Sequence, residues 1–452
     1  MAQPTSTSDT GETQRNGTAP DMAGFDTVIV ATPDLAGRLV GKRLSARHFR
    51  ESGEVRMCDV VFGWGIGHEL LDGFASVGWE HGYGDVISQP DPAAVRPLAW
   101  WPKTALVMAD AVRPDGTPLA VSPRTVLRRQ VERARELGYV PLIASELEFM
   151  VYAETPESLL EKRFAALSLH REELAPELVE TTGLDEELFA ELRSAMESSG
   201  VPVESIKAEY SPSQFEMTLE PADAVELADR HAVYKMGVRE LCRRRGLAAT
   251  FMAKPDSDLG GQSCHLHISL AHDEGDNAFA EGSDSLMRRF VGGLQRYAAD
   301  VFLLWAPYPN SYKRFRPGTF APASISWGED NRTAAVRICG EGRGRHVENR
   351  IPGADVNPYL AHAALLAAGL RGIADGVDAD EGVGHANAYA STDVSPLPAS
   401  LDEAIAVFRA SEFSRESFGR EVVEHIARFA GAELDASRLA VTDFDRRRLF
   451  DI

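Results

Sequence analysis

Two pairs of polar residues in this chain stand at the spacing of one strand face. Glu146 and Glu148 flank a leucine within an otherwise apolar run, and His265 and His267 flank another leucine. Because successive side chains of a strand point to opposite faces, each pair lies on one face. A solvent-facing pair of glutamates is the ordinary interpretation of such a motif, but two carboxylates in an apolar run need a cation to offset their burial. The pairs therefore indicate a metal site.

Three more carboxylates extend this set. Glu209 and Glu216 flank a Ser-Pro-Ser-Gln sequence, and Glu348 lies in the segment Arg-His-Val-Glu-Asn-Arg that ends at Arg350. Five carboxylates and a histidine suit Mg²⁺ or Mn²⁺ better than structural Zn²⁺, which prefers thiolates and imidazoles. A histidine pair with carboxylates is also typical of cupin-type metal sites, but the long helices of this chain argue against an all-β barrel. The inventory suits two hard cations held beside ATP.

Arginines are concentrated in one part of an otherwise acidic chain. The formal net charge is −21, yet residues 310–350 contain Arg314, Arg316, Arg332, Arg337, Arg343, Arg345 and Arg350. A solvated basic face would also produce this pattern. Guanidinium groups that bind a carboxylate substrate and phosphates fit better, because metal ligands lie in the same segment. A glycine-rich match at 63–67 lacks the third glycine at dinucleotide spacing, so a Rossmann function is disfavoured.

The bulk composition limits the classes of partner. Hydrophobic content of 44% and charged content of 25% are ordinary for a globular protein. The net charge of −21 disfavours nucleic acids and anionic membranes, and it would attract a cationic substrate such as an amine. Four scattered cysteines predict reduced thiols, and no apolar run resembles a spanning helix or a signal peptide. We therefore expect a cytoplasmic protein.

Local sequence signals divide the chain into three parts. Residues 1–24 are polar and are expected to form a disordered tail. A turn sequence, Pro-Asp-Gly-Thr-Pro at 114–118, separates a small domain at 25–117 from a larger one at 118–452. In the small domain, strands are predicted at 27–30, 39–42, 59–62 and 105–108. The larger domain mixes strands with long helices, so the predicted class is α+β.

Two helix starts in the larger domain are well signalled. Ser122 and Pro123 have the residue types of an N-cap and first helical position, and that helix is expected to end at Gly138. Asn357 and Pro358 open a second helix in the same way. The strands that carry the polar pairs lie between these two helices in the sequence.

Three further motifs carry a resemblance to a known family. They are Asn-Ser-Tyr-Lys-Arg-Phe-Arg-Pro-Gly at 310–318, Asn-Arg at 331–332, and Asn-Arg-Ile-Pro-Gly-Ala-Asp-Val-Asn-Pro-Tyr-Leu at 349–360. With the polar pairs, they make the chain from residue 25 onward resemble the class I glutamine synthetase family, in particular its γ-glutamylethanolamide and γ-glutamylpolyamine synthetase branch. The resemblance implies a small N-terminal β-grasp domain, a large catalytic domain with an antiparallel sheet and flanking helices, and a homododecamer with active sites between subunits.

The resemblance also implies a role for each candidate residue. One metal site would use Glu148, Glu209 and Glu216, and the other Glu146, His265 and Glu348, with two or three Mg²⁺ or Mn²⁺ ions in all. ATP contacts are implied for Glu204, His267, Ser269, Arg337 and His346, the last of which replaces an arginine usual in the family. Glutamate contacts are implied for Gly260, Gly261, Arg314 and Arg350. Catalytic roles are implied for Arg314, Arg350, Glu209 and Arg332. Of these, Arg332 would steady the transferred phosphoryl group.

Two departures from the family concern the amine. An acidic residue that helps to bind ammonium is replaced by Gly65, next to Trp64, and the glutamate of a flap over the acyl phosphate is replaced by Phe320. Ammonium must be held by negative charge, so losing two carboxylates removes its site and a base. Glycine opens volume and the aromatic ring supplies an apolar wall, so this amine pocket favours an alkylamine. Glu209 remains the candidate for deprotonating it.

The sequence therefore predicts an ATP-dependent ligase that joins the γ-carboxylate of glutamate to a primary amine through γ-glutamyl phosphate. Ethanolamine is favoured, with polyamines such as putrescine or spermidine next, and the reaction would serve amine use as a nitrogen source. Two alternatives stay open: an ordinary ammonium-using glutamine synthetase, and an inactive family member that acts as a structural or regulatory assembly. The complete set of metal and arginine positions argues against the inactive assembly.

Overall fold

The computed structural model describes residues 22–452 except 53, 174–175, 273–274 and 281–283, so most of the predicted tail, at 1–21, lies outside the described residues. The described strands are β1 Thr27–Pro33, β2 Leu39–Ser45, β3 Val55–Cys58, β4 Asp85–Pro97, β5 Thr104–Val112, β6 Val140–Tyr152, β7 Val203–Ala208, β8 Gln214–Leu219, β9 Ala222–Asp223, β10 Ala248–Thr250, β11 Cys264–Ala271, β12 Trp327–Glu329, β13 Val336–Cys339 and β14 His346–Asn349. The described helices are α1 Ala46–Ser52, α2 Pro123–Glu136, α3 Pro156–Glu161, α4 Val179–Gly183, α5 Glu186–Ser198, α6 Ala224–Arg244, α7 Asp284–Val301, α8 Pro358–Asp375, α9 Leu401–Ala410, α10 Glu412–Phe418, α11 Arg420–Leu439 and α12 Asp443–Leu449. None of these helices combines the length and apolar character that crossing a bilayer requires.

The strands form two sheets, which lie on opposite sides of the turn at 114–118 in the sequence. The first sheet has the order β2-β1-β5-β4-β3, with β1 and β5 parallel and the other pairs antiparallel. The second has the order β12-β13-β14-β11-β6-β8-β7, and β9 and β10 also pair with β6. Apart from the parallel pair of β12 and β13, its ladders are antiparallel. Mixed helices and largely antiparallel strands confirm the α+β class.

The central strand β6 explains how the second sheet carries polar groups. Its alternate residues Ile143, Leu147 and Phe149 are fully buried in the apolar core. The other face of the strand holds Glu146 and Glu148. Because the period of a strand is two, the same sequence that anchors β6 in the core presents both carboxylates on the opposite face.

The two predicted helix starts differ in how they are capped. The Asn357 side chain accepts the N–H groups of Tyr359 at 3.1 Å and Leu360 at 3.4 Å, and α8 ends before Gly376 in the left-handed conformation. That prediction is confirmed. Helix α2 also begins where predicted, but Ser122 forms no side-chain cap bond, and its buried hydroxyl has no partner among the described residues. Residue type alone therefore did not determine the cap.

Two predictions for the N-terminal part are wrong. Residues Asp59–Phe62 form a 3-10 helix rather than a strand, because the chain leaves the sheet after Cys58 and buries Val61 through a turn. A short apolar run does not distinguish these outcomes by itself. Residues 22–24 are not part of a disordered tail, since Met22 is 1% exposed and its carbonyl accepts the N–H of Phe25 at 3.2 Å.

Arg124 on α2 joins the two parts of the fold. Its guanidinium donates to Asp229 on α6 at 2.8 and 3.1 Å, and to Asp110 and Asp91 of the first sheet at 2.6 and 2.8 Å. We expect Arg124→Met to lower the free energy of unfolding by about 3–5 kcal/mol, because it leaves the buried Asp229 carboxylate without a guanidinium partner. In chemical denaturation, Arg128→Met should lower it by less than about 1 kcal/mol, since Arg128 binds Asp91 and Asp110 from a half-exposed position. Equal losses would contradict this assignment.

Candidate active site

Three adjacent strands of the second sheet bring a histidine and two carboxylates together. His265 on β11 pairs with Glu146 on β6, and Glu348 on β14 pairs with His267 on β11. His265 Nδ1 lies 2.7 Å from a Glu146 oxygen and 3.3 Å from a Glu348 oxygen. One ligand atom from each of Glu146, His265 and Glu348 lies within 4.8 Å of the others, and we call these residues the first metal cluster.

A second cluster contains carboxylates only. Glu148 on β6 pairs with Glu216 on β8, and Glu209 follows β7 in the turn that leads to β8. Ligand oxygens of these three residues lie within 4.8 Å of one another, and we call them the second metal cluster. The Glu148 carboxylate is held in place because it accepts the N–H of Ser263 at 2.7 Å and the side-chain amide of Gln214 at 3.0 Å.

The second metal cluster is short of positive charge. Burial and the neighbouring Glu209 raise the pKa of Glu148 to about 7. Burial, Glu146 and Glu209 together raise the pKa of Glu216 to about 10. Carboxyl pKa values rise in this way when ionised groups face one another in a poorly solvated site. A divalent cation at the oxygens would relieve that repulsion, and an all-oxygen donor set fits Mg²⁺ or Mn²⁺.

The first metal cluster is closer to charge balance. Burial acts to raise the pKa of Glu348, but Arg350 and then His265 hold it at about 2. Burial also opposes ionisation of Glu146, whose pKa is nevertheless well below its ordinary value because of His265 and His267. Two carboxylates and one imidazole are a donor set that Mn²⁺ or Mg²⁺ can use. Both predicted ligand sets are therefore assembled in the fold.

Two buried arginines lie next to these clusters. Arg314 donates to the carbonyls of Ile351 at 2.7 Å and Arg350 at 3.0 Å. Arg350 donates to Glu348, while its buried Nε has no partner among the described residues. A Cβ added to Gly261 would lie only 2.7 Å from Arg314 Cγ, so the loop at this glycine passes very close to the arginine. The unpartnered Nε of Arg350 could donate to a bound carboxylate, and the absence of a side chain at Gly261 leaves the loop close to Arg314.

Two cavities divide the predicted site residues between them. The first, of about 200 Å³, is lined by both metal clusters except Glu348 and by Gly261, Arg314, Phe320, Arg332 and Arg350. The second, of about 570 Å³, is lined by four of the predicted ATP residues: Glu204, His267, Ser269 and His346. Its volume lies within the range of small-molecule sites. Glu146, Lys207 and Glu216 line both cavities, so the two meet at these residues.

Five predicted residues lie outside the cavity walls, and one of them is the metal-cluster residue Glu348. Arg337 lines neither cavity, and its guanidinium binds Asp330 and Glu348. Gly260 donates its N–H to Ser211 Oγ at 2.6 Å, directly before the lining residue Gly261. Trp64 and Gly65 belong to the N-terminal part, where the Trp64 indole donates to Asp34 at 3.3 Å. Trp64 and Gly65 therefore do not form an amine pocket together with Phe320 within the two cavities described.

Among the lining residues that were not predicted, Lys207 and Tyr210 contact predicted site residues directly. Lys207 lies 2.6 Å from Glu209 and 3.5 Å from Glu216, and these carboxylates raise its pKa although burial acts to lower it. Its spacing of two from Glu209 was the available signal, because alternation places both side chains on one face. Tyr210 packs its ring against Phe320, with centroids 5.9 Å apart, and both residues line the first cavity.

Known proteins resemble this chain over most of its length. A family model described as glutamine synthetase, catalytic domain, matches residues 120–449. The γ-glutamylethanolamide synthetase GlnA4 of Streptomyces coelicolor is 42% identical over 432 residues, which cover 94% of this chain and 93% of that protein. A glutamate–isopropylamine ligase of a Pseudomonas species is 33% identical and covers 95% of both chains. A solved structure described as apo GmaS without ligand has a TM-score of 0.83 at 28% identity, and covers 95% of this chain and 97% of that one.

Proposed function

The chain belongs to the glutamine synthetase family, and on that premise we propose that it is an ATP-dependent ligase joining the γ-carboxylate of glutamate to a small primary amine. The family generally uses ATP and divalent metal ions. One relative is named for making γ-glutamylethanolamide, and another is named for ligating glutamate to isopropylamine. Both names support an alkylamine substrate in place of ammonium. Ethanolamine is the proposed amine, because the relative at 42% identity is named for its glutamyl amide.

The observation that carries this proposal is the aromatic pair that lines the first cavity. Phe320 and Tyr210 are 50% and 65% exposed, and their rings pack at an angle of 52° with centroids 5.9 Å apart. Aromatic faces favour an alkyl chain through apolar contact and an ammonium group through cation–π attraction. A cavity of about 200 Å³ that also holds glutamate favours a short amine over a long polyamine. Polyamines such as putrescine and spermidine are therefore the second choice.

In the proposed reaction, ATP phosphorylates the γ-carboxylate of glutamate and the amine then displaces phosphate. Arg314, Arg350 and the Gly261 loop bind the glutamate carboxylates, and Arg332 at the rim steadies the transferred phosphoryl group. Divalent ions held by the two metal clusters would supply positive charge to the phosphoryl oxygens. Glu209 lines the first cavity and is the proposed acceptor of the amine proton.

The remaining assignments concern the nucleotide and the assembly. We assign ATP to the second cavity through Glu204, His267, Ser269 and His346, with Arg337 acting on the first metal cluster through Glu348. A cytoplasmic homododecamer is proposed, in which Trp64 and Gly65 of one chain would reach the cavity of the next. The nitrogen of ethanolamine or another small amine would thereby enter metabolism as a glutamyl amide.

The amine preference should change when both missing carboxylates are restored. We expect the double variant Gly65→Asp with Phe320→Glu to raise kcat/KM for ammonium relative to ethanolamine by roughly 10- to 100-fold. The physical reason is that ammonium gains charge-assisted hydrogen bonds while the alkylamine loses its apolar wall. The measurement is amine-dependent phosphate release with each amine as the varied substrate.

A matched control for the flap substitution is Phe164→Glu. Phe164 is also exposed, at 65%, and also has a positive φ of 57°, equal to that of Phe320, but it lines neither cavity. This control should leave the ratio of the two amines unchanged. No gain with ammonium in the double variant would contradict the account of the amine pocket.

A further inference from the structure

Lys207 is a cation placed among carboxylates at the centre of the site. It lies on β7 opposite Glu216 of β8, and its Nζ is 2.6 Å from Glu209, 3.3 Å from Glu177 and 3.5 Å from Glu216. Its side chain is 37% exposed and lines both cavities, so a ligand in either cavity can reach it. A lysine ammonium has three donors and can therefore bind an anion while keeping a carboxylate partner.

The position of Lys207 between the two cavities indicates its role more specifically than its ion pairs do. Of the residues that line each cavity, three are common to both: Glu146, Lys207 and Glu216. The substrate arginines line one cavity, and the proposed nucleotide residues other than Arg337 line the other. Lys207 is the cationic member of the shared set, so it lies on the path between the nucleotide and the acid.

Charge arithmetic shows that a bound metal ion would not make Lys207 redundant. The three carboxylates of the second metal cluster carry a charge of −3 when they are ionised. One divalent ion gives +2 and the lysine gives +1, which balances them. Without the lysine, a net charge of −1 would face the phosphoryl oxygens, and like charges in a poorly solvated site repel strongly.

We propose that Lys207 is a catalytic residue whose ammonium group contacts the phosphoryl group as it passes from ATP to glutamate. The inference rests on the proposed function and adds one residue to it. In this step an oxygen of the γ-carboxylate forms a bond to the γ-phosphorus, and the bond from that phosphorus to the β–γ bridging oxygen breaks. The bridging electron pair stays with ADP, and no proton moves. Lys207 lowers the barrier by holding the equatorial oxygens while charge shifts among them.

The competing interpretation is that Lys207 only neutralises its carboxylate neighbours. In that case, removing its charge would leave the phosphoryl step intact and would raise the affinity for metal, because a competing cation is gone. The two interpretations therefore differ in a partial reaction that needs no amine, and metal binding measured without turnover shows whether a loss in that reaction comes from the metal instead.

The test uses the full chain with Mg²⁺, glutamate and ATP that carries ¹⁸O in the β–γ bridge, without amine. Reversible phosphoryl transfer scrambles the label once the β-phosphoryl group of bound ADP has rotated, so the scrambling rate reports this transfer and its reversal without the amine step. We expect Lys207→Met to lower that rate by roughly 10- to 100-fold, the effect of one charge-assisted hydrogen bond. Lys207→Arg keeps the charge and should recover part of the rate. Calorimetry with Mn²⁺ should show no loss of metal affinity in Lys207→Met.

Lys162→Met is the matched control. Lys162 is also 37% exposed and pairs with a buried glutamate, Glu154, at 2.5 Å, but it lines neither cavity. The proposal is overturned by wild-type scrambling in Lys207→Met, by an equal loss in Lys162→Met, or by a loss that parallels weaker Mn²⁺ binding. Absence of glutamate-dependent scrambling in the wild-type protein would instead overturn the proposed function, and this inference with it.

Discussion

Glu148→Ala is expected to lower turnover with every amine by about 1,000-fold or more, because several kcal/mol of charge stabilisation by a bound metal are lost. Glu148 lies on the rigid central strand, and Ser263 and Gln214 fix its carboxylate toward Glu209 and Glu216. Phosphate release with ethanolamine and with ammonium measures the loss, and Mn²⁺ calorimetry should show that one class of site has disappeared.

The control for this substitution is Glu154→Ala. Glu154 is 2% exposed and follows the same strand, but it binds Lys162 and lines neither cavity. Its removal should lower the melting temperature and leave the turnover of the folded protein near that of the wild type. If Glu148→Ala kept most of its activity, the assignment of the second metal cluster would be wrong.

The second large effect is expected at Arg350. Arg350→Met should lower kcat/KM for glutamate by roughly 100-fold, because a buried charged donor to the substrate is worth several kcal/mol. The substitution also leaves Glu348 buried without the guanidinium that holds its pKa at about 2. Arg350→Lys should recover little of the activity, since a single ammonium cannot bind Glu348 and a substrate carboxylate in the same geometry.

Arg316→Met serves as the control for Arg350. Arg316 belongs to the same arginine-rich segment, but it is exposed and lines neither cavity. It should leave kcat/KM for glutamate close to the wild-type value. A similar loss in both variants, or a full rescue by Arg350→Lys, would exclude the specific role of the Arg350 guanidinium in substrate binding.

Strand periodicity was enough to predict which polar residues share a face. Glu146 with Glu148 and His265 with His267 follow from a period of two, and the structure pairs His265 with Glu146 across the sheet. Register between strands distant in sequence is set by packing and not by local residues. The division into two clusters therefore came from the family resemblance and not from spacing.

Other features depended on contacts that the sequence does not display. Asn357 and Ser122 have equally good capping residue types, yet only Asn357 caps its helix. Lys207 was overlooked because lysines in strands are ordinary surface residues, and its role depends on three carboxylates that fold around it. Trp64 and Gly65 line neither cavity of their own chain, so their proposed role goes together with the proposed assembly.

The most direct test of the account is phosphate release from ATP with glutamate and Mg²⁺ across ammonium, ethanolamine, putrescine, spermidine and aniline. We predict strong release with ethanolamine, weaker release with the polyamines and little with ammonium. Release that is greatest with ammonium would make this chain an ordinary glutamine synthetase and would contradict the roles given to Phe320 and Gly65. No release with any amine would contradict the ligase assignment and favour the inactive assembly.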